Sequence, residues 1–474
     1  MVRGRSAASA RRAESERHQP CCPNSLTASK GGRRAAIAAL PLAAGRRSMA
    51  AVLAVAALMG VLLGRFVTAG SDGPSIATAP AAAGRSSVAR VASLQARLAV
   101  HPDDPVALTD LAVAYLGRAR DTADPSYYPK AAQAVERSLA LDPSSPTTMT
   151  AAGLLALGRH DFAAALDWGL DAHAASPDSA DPLGVMVDAY VGVGRYPEAV
   201  DAAQRMVDRR PSLAGLARVS YLRELHGDRP GAIAAMRQAI TAGAGDAADV
   251  ATVEVLLGDL LLGSGDLVAA RRAYERSLER VPTLGSGEVG LARTAAAEGD
   301  LAGAVARLEP VARRLPLASS IALLGDLYAG MGRADEAEAQ YDLVRVIEKL
   351  NRTEGVAVDL ELARFEADRG TAGAVALARA ALAARPNVYA EDALGWALRQ
   401  TGQAAEALPH MQAAVRLGTA DAQLWYHLAA VEADLGLVED ARLHLRKAFG
   451  LSPTLTVGDL PAAKALADAL GVLR

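Results

Sequence analysis

Histidines and carboxylates are the side chains best able to do chemistry here, and their spacing is weighed first. His410 and His444 stand 34 residues apart, with His427 midway between them. Three neighbouring helices carrying them would pack together, so convergence on a metal is geometrically conceivable. No carboxylate is evidently placed to orient the rings, and no metal site is expected. Glu439 and Asp440 are adjacent acids on a helix face that reads as solvated. His160 occupies a position where related segments carry a turn glycine, and reads as a tolerated turn residue. The pairs Gly192/Gly194 and Gly263/Gly265 also fall at turns. The sequence contains no phosphate-cradling G-x-x-x-x-G-K-[ST], no H-E-x-x-H, no CxxC pair and no G-x-S-x-G. Its only cysteines are Cys21 and Cys22, so the body cannot form a disulfide or a thiolate metal site. These absences argue against an enzyme and leave no expected cofactor or small-molecule substrate.

The elements that position these groups follow from one stretch, ADPLGVMVDAYVGVGRYPEAVDAAQRMVDRRP, from Ala180 to Pro211. Apolar and small residues recur at helical spacing on both sides of Gly194, which breaks the pattern. Pro211 closes the second helix because it lacks an N–H and clashes with the preceding turn. The hairpin repeats. Ala131, Ala165, Ala199, Ala232, Ala270, Ala304, Ala337, Ala374, Ala407 and Ala441 succeed one another at steps of 34, 34, 33, 38, 34, 33, 37, 33 and 34. Gly194, Gly227, Gly265, Gly299, Gly332, Gly402 and Gly436 each precede one of them by five positions. Pro143, Pro177, Pro211, Pro282, Pro316, Pro386 and Pro453 punctuate the far ends. Half the residues are apolar but only 4 % are aromatic, and no strand-like alternation occurs, so an all-α chain is expected.

A period of 34 with Leu257-Gly258, Gly265, Ala270, Tyr274 and Pro282, and again Trp425, Leu428-Ala429, Gly436, Ala441 and Pro453, resembles the tetratricopeptide repeat (TPR). The resemblance covers roughly residues 89–456. It implies a right-handed α-solenoid of about ten helix-turn-helix repeats with capping helices. The domain reading is a solenoid over residues 88–456 and a C-terminal capping helix over 457–474. Three irregularities are expected: a loop insertion around Gly117–Tyr127, a linker at Thr241–Ala248, and a lengthened second helix from Asp335 to about Leu350.

In proteins of this family the concave face, lined by the first helix of each pair, usually carries function. The resemblance places the ninth position of each repeat on it: Asp188, Tyr221, Asp259, Arg293, Asp326, Arg364 and Trp396. Acidic, basic and aromatic groups alternate there, as in a peptide-binding groove. Arg399, Gln400, Gln423, Tyr426 and Asp434 complete the densest patch around Trp396. A groove of this kind requires Asp259, Arg293 and Trp396 to be exposed on one face; packing between helices is the alternative for Trp396 and Tyr426. A buried His or carboxylate cluster in a closed pocket would favour the alternative, an enzyme or an enzyme's regulatory subunit with an unrecognised site.

The N-terminal region differs from the body. Residues 1–48 carry nine Arg and one Lys against Glu14 and Glu16, so the net charge of −3 divides into +8 there and −11 in the remainder. An acidic body argues against nucleic acid as the main partner and for a protein or peptide. Residues 1–47 read as a basic disordered tail, 48–69 as a transmembrane signal anchor or a signal peptide, and 70–87 as a flexible linker. Arg46 and Arg47 precede the apolar run, which places that side in the cytoplasm and the repeats outside it. Val67-Thr68-Ala69 resembles a signal-peptidase site, so release after cleavage is a second reading, and a cytoplasmic protein with a buried apolar helix a third. The setting implied is a bacterial envelope, with the chain as an assembly or maturation factor. LQARLAVHPDDPVALTDLAVAYL, following a membrane segment, also looks similar to the repeat domains of cytochrome c maturation factors, which hold apoprotein segments.

Overall fold

In a computed structural model, residues 87–243 and 247–472 are described. They form 22 helices and no strand. Residues 1–86, which include the basic tail and the apolar run 48–69, lie outside the described residues. None of the described helices is long and apolar enough to cross a membrane.

The helix α1 (Ser87–Val100) precedes ten antiparallel hairpins. The first five are α2 (Pro105–Thr122) with α3 (Tyr127–Leu141), α4 (Pro146–Gly158) with α5 (Phe162–Ala175), α6 (Asp181–Gly192) with α7 (Tyr196–Arg209), α8 (Leu213–Leu225) with α9 (Arg229–Ala242), and α10 (Ala247–Gly263) with α11 (Leu267–Arg280). Then come α12 (Gly285–Ala297) with α13 (Leu301–Arg314), α14 (Ala318–Gly330) with α15 (Ala334–Thr353), and α16 (Asp359–Asp368) with α17 (Ala374–Ala384). The last pairs are α18 (Val388–Gln400) with α19 (Ala404–Ala414) and α20 (Ala422–Asp434) with α21 (Val438–Leu451), capped by α22 (Asp459–Leu470). The chain is an all-α solenoid.

Each periodic residue has its physical role. The ten repeating alanines are at most 3 % exposed, because they lie where two helices cross too closely for a larger side chain. The seven turn glycines all adopt positive φ, which lets the first helix end and reverse within a few residues. His160 takes their place at φ 60, as expected of a turn residue there. Four turns are followed by an aspartate, Asp161, Asp228, Asp266 or Asp300, whose side chain accepts the backbone N–H three residues on and caps the second helix. The prolines stop the second helices two residues early: α3, α5, α7, α11, α13, α17 and α21 end at 141, 175, 209, 280, 314, 384 and 451.

Two irregularities differ from expectation. The residues from Gly117 to Thr122 do not project as a loop but continue α2, since no breaker intervenes before Pro125; Ala123 then closes the helix at φ 62. In place of a linker of eight residues at Thr241–Ala248, α9 runs to Ala242 and α10 starts at Ala247, so the wide step of 38 is spent on a first helix of 17 residues. The long second helix appears as expected. α15 extends 20 residues to Thr353, with Val344, Ile347 and Asn351 buried along it.

The solenoid also closes on itself, which the repeat pattern does not foretell. Turns of the early repeats dock on segments between the late ones. Ala357 N–H donates to Arg159 O (2.9 Å), Asn387 Nδ2 to Gly192 O (3.0 Å), and Val388 N–H to Tyr196 Oη (2.9 Å). Further along, Ala420 N–H donates to Glu224 O (3.1 Å), Thr419 Oγ1 to Leu225 O (2.9 Å), and Arg229 Nη1 to Leu451 O (2.7 Å). His160 is buried in this seam beside Arg385 and Glu361, each 3.2 Å from its Nδ1. Burial alone would raise the Glu361 carboxyl, but Arg385 and His160 hold it well below the usual carboxylate range. One apolar core therefore runs through repeats two to five and eight to ten together, while repeats six and seven build most of a second.

Candidate functional site: the inner face

Closure buries much of the face that the first helices were expected to present. In α6 every residue from Pro182 to Gly192 is buried, and α10, α18 and α20 are buried around most of their circumference. A helix apolar on all sides belongs in an interior. Among the ninth-position residues, Asp188, Tyr221 and Trp396 are buried; Asp259, Arg293, Asp326 and Arg364 are half-buried.

The acids along this face are engaged by arginines. Asp188 receives two hydrogen bonds from buried Arg218, Nε to Oδ1 (3.0 Å) and Nη2 to Oδ2 (2.7 Å). Asp259 accepts from Tyr274 Oη (2.9 Å) and from Arg293 Nη1 (2.8 Å), 34 residues on. Asp326 accepts from Tyr341 Oη (2.9 Å) and Arg369 Nη2 (2.8 Å), and Arg369 lies 3.8 Å from the ring centres of both Tyr341 and Phe365. Each of these three acids is thus tied to an arginine of the next repeat. Burial raises the Asp188 and Asp326 carboxyls, and their arginines oppose that rise.

Around Trp396 the expected exposure is not met. Trp396 is 5 % exposed, stacked on the His427 ring at 3.8 Å and 9°, with Tyr426 at 5.9 Å and the Arg399 guanidinium 4.8 Å from its centre. Tyr426 is buried too, and desolvation pushes its hydroxyl up to about 12. Packing, the alternative for these two aromatics, is what the geometry shows. The neighbouring polar groups keep contact with solvent. Arg399 Nε lies 2.8 Å from Asp434 Oδ2, Gln423 Nε2 donates to Asp459 Oδ2 (2.8 Å), and Arg364 Nη2 donates to Gln423 Oε1 (3.3 Å); Gln400 and Asp434 are exposed.

The three histidines do not converge. His410 Nδ1 lies 2.7 Å from Glu391 Oε2, His444 Nδ1 2.8 Å from Glu432 Oε2, and His427 Nδ1 2.8 Å from Asp392 Oδ1. Among the described residues no group of three His, Cys, Asp or Glu could hold a metal ion. His427 and Asp392 are buried together, with half-buried Asp459 on the other side of the ring. Burial alone would lower the imidazole, yet Asp392 and then Asp459 raise it to about 10. The ring is 2 % exposed. The cluster ties α22 to the last two repeats.

Sequence reasoning missed Asp368, which ends α16. It is exposed, and no hydrogen bond or ion pair engages it among the described residues. Its carboxyl is nevertheless pushed up to about 6, first by desolvation and then by Asp459. Nothing in the repeat register marks a last-turn aspartate as different from other helix-end polar residues.

Fold and inner face together define a solenoid of helical hairpins. No protein-family model matches this sequence, and no curated protein matches it. Among solved structures it is similar to TTC0263, a thermophilic TPR protein of Thermus thermophilus (22 % identity, 36 % of this chain and 90 % of that one, TM-score 0.33). It is also similar to the human IFIT1 dimer with PPP-AAAA (14 %, 69 % and 77 %, 0.44) and to pilF of Pseudomonas aeruginosa (17 %, 50 % and 97 %, 0.34).

Proposed function

We propose that the chain is a non-enzymatic interaction scaffold that holds a segment of a protein partner on the accessible part of its inner face. One observation carries this reading. Six successive first helices, α10 to α20, each bring a polar residue that keeps accessible surface: Asp259, Arg293, Asp326, Arg364 with Asp368, Arg399 with Gln400, and Gln423 with Asp434. The ninth-position residues of α6 and α8 are buried. Pre-formed helices lose little freedom on binding, which favours affinity from few contacts. The −11 charge of residues 49–474 favours a protein over a nucleic acid. Residues 48–69 supply a tether, with the repeats outside the cytoplasm, on the strength of Arg46 and Arg47 before the uncharged apolar run 48–64, which Arg65 follows.

The test is affinity capture from solubilised membranes with the full chain and with Asp368→Lys/Asp434→Lys, both shown to be folded by circular dichroism. A partner enriched by the parent and lost from the variant supports the reading. Equal recovery by both overturns the inner face as the binding surface. Full-length protein found only in the soluble fraction overturns the tether.

A further inference from the structure

A second surface lies away from the inner face, where the repeat spacing is widest. The step of 38 from Ala232 to Ala270 belongs to the long α10, and between α9 and α11 it leaves a cleft of ≈ 430 Å³. Leu257 and Leu261, one turn apart on α10, line its apolar part. Along α11, Val268, Arg272 and Arg276 follow at four-residue spacing and so share one stripe, with Arg237 of α9 also lining the cleft. Val268 is 63 % exposed at the edge of the cleft.

The charges in this cleft are unbalanced. Most arginines of the described chain hold a carboxylate, a carbonyl or a ring. Arg276 does so: its Nε and Nη2 donate to buried Glu254 at 3.0 and 2.7 Å, which fixes it as a rigid wall. Asp266, the acid lining the cleft, is spent on capping α11 through Ala269 N–H at 3.0 Å. Arg237 and Arg272 are exposed and make no ion pair among the described residues. Two uncommitted guanidiniums over an apolar floor suit a ligand with carboxylates beside an aliphatic side chain, because guanidinium binds carboxylate in a planar, two-pronged geometry. The volume falls within the range of small binding pockets, about 300–1,000 Å³.

We propose that this cleft docks an acidic peptide segment of a protein partner, its carboxylates on Arg237 and Arg272 and an aliphatic side chain against Leu257, Leu261 and Val268. The surface is distinct from the inner face, so the two readings stand or fall separately.

The probe is a set of short, blocked, fluorescein-labelled peptides with one leucine flanked by glutamates, and the same set with lysines. Anisotropy is measured on the full chain, on Arg237→Glu/Arg272→Glu, and on Arg446→Glu of α21 as an exposed control away from the cleft that makes no ion pair among the described residues. The glutamate set binds the parent at least about tenfold tighter than the lysine set. That preference disappears in the double variant, persists in the control, and weakens with salt. Equal affinity for both sets, an unchanged preference in the double variant, or equal loss in the control would each overturn the proposal. Val268→Asp, which leaves both arginines in place, weakens the glutamate peptides by about tenfold if the aliphatic contact is real, and leaves them unchanged if it is not.

Discussion

Replacing Gly194 with alanine perturbs the seam at one point, and a neighbouring glycine supplies the control. Gly194 and Gly402 are both turn glycines, at φ 71 and φ 79. An L-residue there costs about 1–2 kcal/mol at either site. They differ in surroundings. A Cβ on Gly194 would lie 2.1 Å from the Pro386 carbonyl oxygen, whereas one on Gly402 meets nothing within 4 Å. Since backbone atoms cannot share that space, the segment 386–388 must withdraw. The bonds from Asn387 Nδ2 to Gly192 O and from Val388 N–H to Tyr196 Oη are then lost. Each contributes about 1 kcal/mol net, and a buried group left unsatisfied costs up to about 3 kcal/mol. Gly194→Ala is therefore expected to destabilise by about 3–5 kcal/mol against about 1–2 kcal/mol for Gly402→Ala. Hydrogen exchange reads the mechanism directly. Val388 opens α18, so its amide has no partner within the helix and owes its protection to Tyr196. Fast exchange at Val388 and Ala420 in Gly194→Ala, with parent-like exchange in Gly402→Ala, is the expected result. Equal destabilisation by both substitutions, or unchanged protection at Val388, would refute a closed seam.

Two further outcomes follow from buried charges. Arg218→Ala leaves the Asp188 carboxylate without its two donors in a closed site, and should cost about 3–5 kcal/mol in urea denaturation, whereas Arg293→Ala, at a half-exposed pair, should cost under about 1 kcal/mol. Glu348 of α15 is buried, and desolvation, then Glu361, push its carboxyl from 4.5 up to about 8. A carboxyl raised by folding binds its proton more tightly in the native state, so its penalty grows as pH rises from 4.5 to about 8. Glu348→Gln should thus be more stable than the parent at pH 7, with the difference fading toward pH 4.5; thermal melts across that interval would show it.

Local features of this chain were legible because one residue type decides each of them. Positive φ demands glycine or a tolerant substitute such as His160, a helix end before proline follows from ring geometry, and a helix crossing demands alanine. The seam was not legible. It joins Gly192 to Asn387, 195 residues apart, through a backbone carbonyl and a single side chain, and no periodicity records such a contact. Trp396, expected to be exposed, is instead covered by Tyr426, His427 and Arg399 of its own and the following repeat, and a repeat register does not record how closely neighbouring helices pack over a side chain. Asp188, Asp259 and Asp326 each bind an arginine of the next repeat. Sequence shows which signs alternate but not which pairs touch.

The most direct test of the scaffold reading is site-specific photo-crosslinking in membranes, with the reactive residue introduced singly at Asp368, Gln400 and Asp434 on the inner face and at Glu439 on the outer face. The account predicts one protein adduct common to the three inner positions and absent from Glu439. An adduct confined to Glu439, or nucleic acid rather than protein at the inner positions, would contradict it.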